Sequence, residues 1–274
     1  MKVSLCVEPF FPGKSLLDKV REVKKYGFSV VEFWLWDYSF DGKKSYQGER
    51  DIDTLSQLVQ KGNVEVLSFL INSPRIDIGG SLVDKQDRER FLSRLKKALS
   101  IAGKIKCKKL IALSGKYVRG LPVEEQRQNM IDTLREAIRL FKKEKVTLLL
   151  EPLNSLVDFK DYFLDSSRMG CEIVRELNTP YVKLLYDIYH MQIMEGNIIE
   201  TISKNTNIIG HFHSAGVPGR HELDTGELNY KNIMQAIDNL GYKGAFGLEY
   251  FPALPSAESL ESMARFVQQT LGPL

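Results

Sequence analysis

Short apolar, β-rich runs recur along the chain at 2–8, 30–36, 64–72, 108–115, 146–154, 182–188, 208–216 and 244–251, each of strand length. Between them lie segments with apolar residues at helical spacing: 15–27, 53–63, 87–100, 121–145, 165–178, 229–241 and 256–272. Several of these open on Ser, Asp or Asn and stop at Gly or Asn, as helix capping requires. The strand runs are nearly continuous in apolarity, which is the pattern of parallel strands covered on both faces. Eight strand–helix alternations in 274 residues predict a (β/α)8 TIM barrel. With no low-complexity linker and no break in composition, residues 1–274 read as a single domain. An open doubly wound sheet is the rival, but no predicted strand leads into a Gly-x-Gly-x-x-Gly turn.

Composition narrows the partners. The net charge of +3 is spread over mixed-sign helices such as "DKVREVKK" and "DRERFLSRLKKALS", so there is no basic stripe for nucleic acid. Cys6, Cys107 and Cys171 are odd in number and widely spaced, which suits small buried side chains in a reducing compartment and not a disulfide framework or a thiolate zinc site. No run approaches the length of a membrane span, and the N-terminus lacks the pattern of a cleaved leader. The expectation is a soluble cytoplasmic protein acting on a small molecule, with homo-oligomerisation left open.

In a barrel of this kind the chemistry sits at the C-terminal ends of the strands. Glu151 ends "TLLLE", Asp187 ends "KLLYD", His213 falls late in "IIGHFH" and Glu249 ends "GAFGLE". Four potential ligands thus come from four successive strands at one height. Any one of them reads equally well as a carboxylate capping the next helix. Three buried carboxylates together, however, force one another to take up protons unless a cation intervenes. A mostly hard-oxygen set with one imidazole suits one divalent ion (Mn2+, Mg2+ or Co2+) with positions left open for substrate, and not a closed zinc site.

The stretches "EPLN" (151–154), "YFLDSS" (162–167), "DIYHMQIMEGN" (187–197), "GHFHSAGVPGRHELDTGELNY" (210–230) and "GYKGAFGLEY" (241–250) resemble the hydroxypyruvate isomerase family, within the broader xylose-isomerase-like barrels that also contain ketose 3-epimerases. The resemblance runs in order through the last 125 residues or so. It implies a metal held by Glu151, Asp187, His213 and Glu249, with the two glutamates also acting as the acid/base pair. It also implies that His190 and Arg220 bind substrate oxygens. The reaction implied is aldose–ketose isomerisation of a small sugar or keto acid through a cis-enediolate. Two departures divide the substrate reading. Hydroxypyruvate isomerases usually carry Gln where His213 stands, and histidine there is the epimerase choice; yet the second glutamate of the epimerases, six residues after the first, is here Val157. A metal nuclease on this barrel would need additional histidines and a basic phosphate-binding face, and a non-catalytic sugar-binding barrel would not keep all four ligands.

Around this set, His211 lies two residues before His213 on the same strand, pointing inward one layer deeper, and is expected in a hydrogen-bonded supporting role. Asn154 is expected to support Glu151, and Glu222 to orient Arg220. His221 reads as solvated. Glu8, Glu32, Trp34 and Trp36 lie near the ends of the first two strands, where the tryptophans wall a small sugar or simply pack. The segment 37–50, rich in Gly, Lys and Tyr, reads either as a solvated connection or as a lid over the mouth.

Overall fold

A computed structural model describes residues 1–35 and 50–272. Trp36 and all of the 37–50 segment except Arg50 lie outside the described residues. Eight strands, β1 (Lys2–Cys6), β2 (Val30–Trp34), β3 (Glu65–Leu70), β4 (Lys109–Leu113), β5 (Thr147–Glu151), β6 (Val182–Asp187), β7 (Ile209–Ser214) and β8 (Ala245–Leu248), close in chain order into a parallel barrel, with β8 paired to β1. Each predicted strand run contains one of them. The helices among the described residues are α1 (Leu16–Lys24), α2 (Ile52–Gln60), α3 (Arg88–Lys104), α4 (Val123–Glu144), α5 (Ser167–Leu177), α6 (Ile188–Met194), α7 (Ile198–Asn205), α8 (Tyr230–Asn239) and α9 (Ser256–Leu271). The side chains of Ser15, Asp51, Ser166 and Asn229 each accept a backbone N–H from the first turn of the helix they precede; Ser15 and Asn229 open the expected segments, whereas the caps fall at Asp51 and Ser166 and not at Asp53 and Asp165, and α9 follows Pro255 with no side-chain cap. None of these helices is long and apolar enough to cross a membrane.

The β6–β7 connection holds two short helices, α6 and α7, in a segment whose apolar spacing marks neither. Helix α6 starts without a turn because Asp187 ends β6 and caps α6 at once: its Oδ1 accepts the N–H groups of Tyr189 at 2.8 Å and His190 at 3.3 Å. Its other oxygen is thereby aimed elsewhere.

Strand alternation sends Val31, Phe33, Leu148, Leu150, Leu184, Tyr186, Phe212, Phe246 and Leu248 into the large core between barrel and helices. The opposite residues fill the barrel interior, and that interior is divided. On the β3–β6 side it is apolar, with Leu70, Ile111, Leu113, Leu149 and Leu185 in one cluster. Towards β1, β2 and β7, and at Ser68 in the middle of β3, it is polar, with Ser4, Glu32, Ser68, His211 and His213 all buried. The apolar half supplies packing; the polar half places ionisable groups beneath the mouth.

Candidate active site

Register brings the four strand-end residues together. Asp187 pairs with His213 across β6 and β7, and His213 pairs with Gly247, two residues before Glu249. Glu151, Asp187, His213 and Glu249 are all buried, and one ligand atom from each lies within 4.8 Å of the others. His213 Nδ1 is 3.6 Å from Glu151 Oε1 and 3.3 Å from Glu249 Oε2. A Cβ on Gly247 would stand 2.7 Å from His213 Cδ2 and 2.8 Å from Glu32 Oε1. Only glycine leaves space there for the imidazole and the carboxylate beneath it.

The charges in this cluster are unevenly balanced. Burial pushes the Glu151 carboxyl up to about 7 against the pull of His213, with Glu249 and Asp187 adding to the rise. Glu249 is buried too, but His213 and Arg220 outweigh burial and hold it well below the ordinary carboxylate range. Asp187 is raised by burial in spite of Arg220 and His213. Burial opposes charge on His213 as well, yet Glu249, Glu32 and Glu151 keep its imidazole well above the usual value. Protons and Arg220 therefore carry the positive charge that three clustered carboxylates demand.

Glu151 Oε1, Asp187 Oδ2 and His213 Nδ1 are buried without a hydrogen-bond partner. Buried acceptors are rarely left so. Orphaned oxygens from two carboxylates, an imidazole nitrogen beside them and a third carboxylate within reach form a donor set that fits a divalent metal ion.

His190 stands beside the cluster in the first turn of α6. Its Nδ1 faces two donors, the Asn154 backbone N–H at 3.2 Å and the Asn154 side-chain amide at 2.7 Å. A backbone N–H only donates, so Nδ1 is the acceptor and the ring proton sits on Nε2. Burial, then Arg220, hold this imidazole well below its usual value and hence neutral. Its Nε2 is buried, unpartnered and 3.6 Å from Asp187 Oδ2. Asn154 thus serves His190, and not Glu151, the partner its place in "EPLN" suggests. Its amide also donates to Asp158 at 2.8 Å.

Arg220 has a left-handed backbone, with φ of 59°, in the loop between β7 and α8. The guanidinium donates to Glu249 Oε2 at 2.6 Å, lies 3.8 Å from Asp187 Oδ2 and sits over the rings of Tyr189 and Phe251. Its expected orienting partner is corrected by the structure: Glu222 accepts the Ala253 N–H at 3.2 Å and braces the loop after β8. Loop closure decides such pairings, and strand spacing does not report it. His221 is half-buried, with Nδ1 2.9 Å from the Phe251 carbonyl, so the solvated reading gives way to a bonded one.

His211 sits below His213, with Nε2 2.9 Å from Glu32 Oε1 and Nδ1 3.2 Å from the Ala245 carbonyl. Glu8 is engaged by Arg50 at 2.7 Å and by the Trp34 N–H at 3.2 Å, which ties the described end of the 37–50 segment to the barrel. Trp34 lines the pocket and donates from its indole to Glu249 Oε1 at 3.2 Å.

The mouth opens into a cavity of about 590 Å3. Glu151, His190, Arg220 and Glu249 lie on its inner wall. Its outer wall includes Arg75, Lys116 and Lys160, which are exposed and make no ion pair among the described residues. These three cations, and the central place of Glu32, escape the sequence reading. The available signal for Glu32 is a lone acid in the apolar run "VVEFWLW".

Fold and mouth together define a (β/α)8 barrel with a buried cluster of three carboxylates and one imidazole, a candidate cation site, at the C-terminal ends of its strands. The chain belongs to the xylose isomerase-like TIM barrel family, whose model matches residues 20–269. It is 28% identical over 267 residues to the hydroxypyruvate isomerase of Escherichia coli, covering 96% of this chain and 98% of that one. It is 34% identical over 170 residues to the 2-oxo-tetronate isomerase of Cupriavidus necator, covering 62% and 65%. A crystal structure described as an AP endonuclease, family 2, from Brucella melitensis superposes with a TM-score of 0.85 at 27% identity, covering 97% of this chain and 99% of that one.

Proposed function

We propose that the protein is an isomerase of small keto acids that moves a carbonyl between adjacent carbons by proton transfer through a cis-enediolate. The observation that carries this reading is the pair Glu151 and Glu249, supplied by β5 and by the end of β8, converging on one cavity with opposite proton affinities. Two carboxyl groups driven apart in this way form an acid/base pair. The isomerase names carried by relatives matched over most or much of the chain support the same reaction class.

Glu151, Asp187, His213 and Glu249 would hold the divalent ion. When bound, it would supply positive charge to the oxygens of the substrate's hydroxy-ketone. The chain's own groups do the rest. One glutamate removes a proton from the carbon bearing the hydroxyl, and the electron pair moves toward the neighbouring carbonyl carbon, leaving an enediolate. The other carboxyl returns a proton to that neighbouring carbon while the hydroxyl proton passes to the oxygen of the original carbonyl, so the carbonyl has moved by one position. His190 Nε2–H is aimed at the same space and donates to a substrate oxygen as negative charge develops on it. Arg220 keeps Glu249 ionised and in place through their 2.6 Å contact.

An acidic substrate is supported by the outer wall, where Arg75, Lys116 and Lys160 face the cavity with no ion-pair partner among the described residues. The endonuclease reading has less to stand on. Among the described residues, the groups able to hold an ion are the four-residue cluster and the set Glu32, His211 and His213, and both use the same His213.

Incubation of hydroxypyruvate, and separately of a neutral ketose, with the enzyme and Mn2+ in D2O tests the reaction class by NMR. The expected outcome is an aldehyde product from the keto acid, with deuterium on the carbon that bore the original carbonyl. Exchange confined to C3 of the ketose, with another ketose as product, replaces the isomerase by a ketose 3-epimerase using the same two glutamates. A second measurement concerns His190. His190→Ala is expected to lower kcat/KM by about 100-fold, the usual cost of one donor at a developing oxyanion. His190→Gln, which keeps an N–H, should recover part of it. Steady-state kinetics showing wild-type kcat/KM for His190→Ala would remove that donor from the mechanism.

A further inference from the structure

Glu32 lies in the middle of the barrel on β2, almost wholly buried, away from the cavity wall. Its carboxylate gathers four polar partners. Ser4 Oγ donates to Oε1 at 2.6 Å, Ser68 Oγ donates to Oε2, His211 Nε2 lies 2.9 Å from Oε1 and His213 Nε2 lies 3.2 Å from Oε2. They come from β1, β3 and β7, so the contact network is non-local. With a serine hydroxyl donating to each of its oxygens, the carboxylate faces the two imidazoles as a hydrogen-bond acceptor.

That chemistry dictates where the protons of His213 go. Facing an accepting carboxylate, Nε2 must carry a hydrogen. The imidazole's only remaining lone pair, once the ring is neutral, is then on Nδ1, the atom that faces Glu151 and Glu249. The set Glu32, His211 and His213 also lies within ligand distance. However, its atoms are spent on one another and on the two serines, so this layer acts as a hydrogen-bonded support.

We propose that Glu32 is the positioning residue of the ion site: it fixes His213 in the Nε2–H tautomer and orientation that present Nδ1 as a ligand. Ser4, Ser68 and His211 hold Glu32 in turn, and the missing Cβ at Gly247 leaves room for the pair. The inference rests on the divalent-ion reading of the cluster given above. Its consequence is a coupling between positions 32 and 213. A histidine at 213 needs the acid below it, whereas glutamine, which has no tautomer to set, does not.

The test is a double-mutant cycle read by calorimetric titration of the chelator-treated protein with Mn2+. Glu32→Gln is expected to weaken binding by about 10–100-fold, the range for lost partners of metal-ligating histidines. In the His213→Gln background the same change should cost less than about 3-fold, because the interaction it removes is already gone. Unchanged affinity in Glu32→Gln, or an equal loss in both backgrounds, overturns the proposal. A second measurement uses the wild type alone and needs no variant to fold. In the Zn2+-loaded protein labelled with 15N at histidine, NMR is expected to show His213 protonated at Nε2 and ligated through Nδ1. Ligation through Nε2 overturns it. A wild type that takes up no divalent ion overturns the ion reading itself, and with it the positioning role. Binding by the wild type that is indifferent to Glu32→Gln leaves the ion reading intact and removes only the role of Glu32.

Discussion

Asp187→Asn is expected to fold as the wild type does and to bind Mn2+ at least about 100-fold more weakly, since losing a ligand costs more than the 10–100-fold loss of a partner one layer out. The two oxygens of Asp187 have separate tasks. Oδ1 caps α6 through Tyr189 and His190, while Oδ2 is buried without a hydrogen-bond partner among the ligand atoms. Asparagine is as good a cap as aspartate, so the helix and the placement of His190 survive. It brings no charge to the cluster and offers an amide where an oxygen is needed. Titration calorimetry with circular dichroism as the control for folding checks this. Undiminished binding by a folded variant takes Asp187 out of the ligand set.

Glu151→Gln and Glu249→Gln are each expected to lower kcat by about 100- to 10,000-fold, the usual scale of a lost general acid or base, with the ion restored to saturation. The two variants should differ in their side effects. Removing the charge of Glu249 also strips Arg220 of its 2.6 Å partner and Trp34 of the acceptor for its indole, so KM should rise along with the loss of kcat. Glu151 has no such partner at Oε1, and its replacement should act mainly on kcat. Rates measured at several ion concentrations separate failed proton transfer from weakened ion binding. Retained turnover in either variant removes that glutamate from the acid/base pair.

Strand positions are the most local features of this protein, and they were legible. The run "TLLLE" places an inward Glu151 at the tip of β5 because alternation along a strand is set by the backbone alone. The same rule puts His211 and His213 on one face. The caps at Ser15 and Asn229 were legible for a like reason, since each acts on the turn that follows it. Helix α6 was not, because its start depends on Asp187 serving strand, helix and site together.

What the amino-acid sequence determined by itself is the eightfold alternation of strand and helix, the barrel it implies, and a ring of three carboxylates and one imidazole at successive strand ends. Each of these follows from periodicity and from residue type within a few positions of chain. Only the tertiary structure decided which groups meet across the barrel: Glu32 beneath His213, Asn154 behind His190, Arg220 on Glu249 and Glu222 on the loop after β8. Those pairings join residues 29 to 181 positions apart. They depend on the stagger of the closed strands and on the path of the loops, which no local pattern encodes.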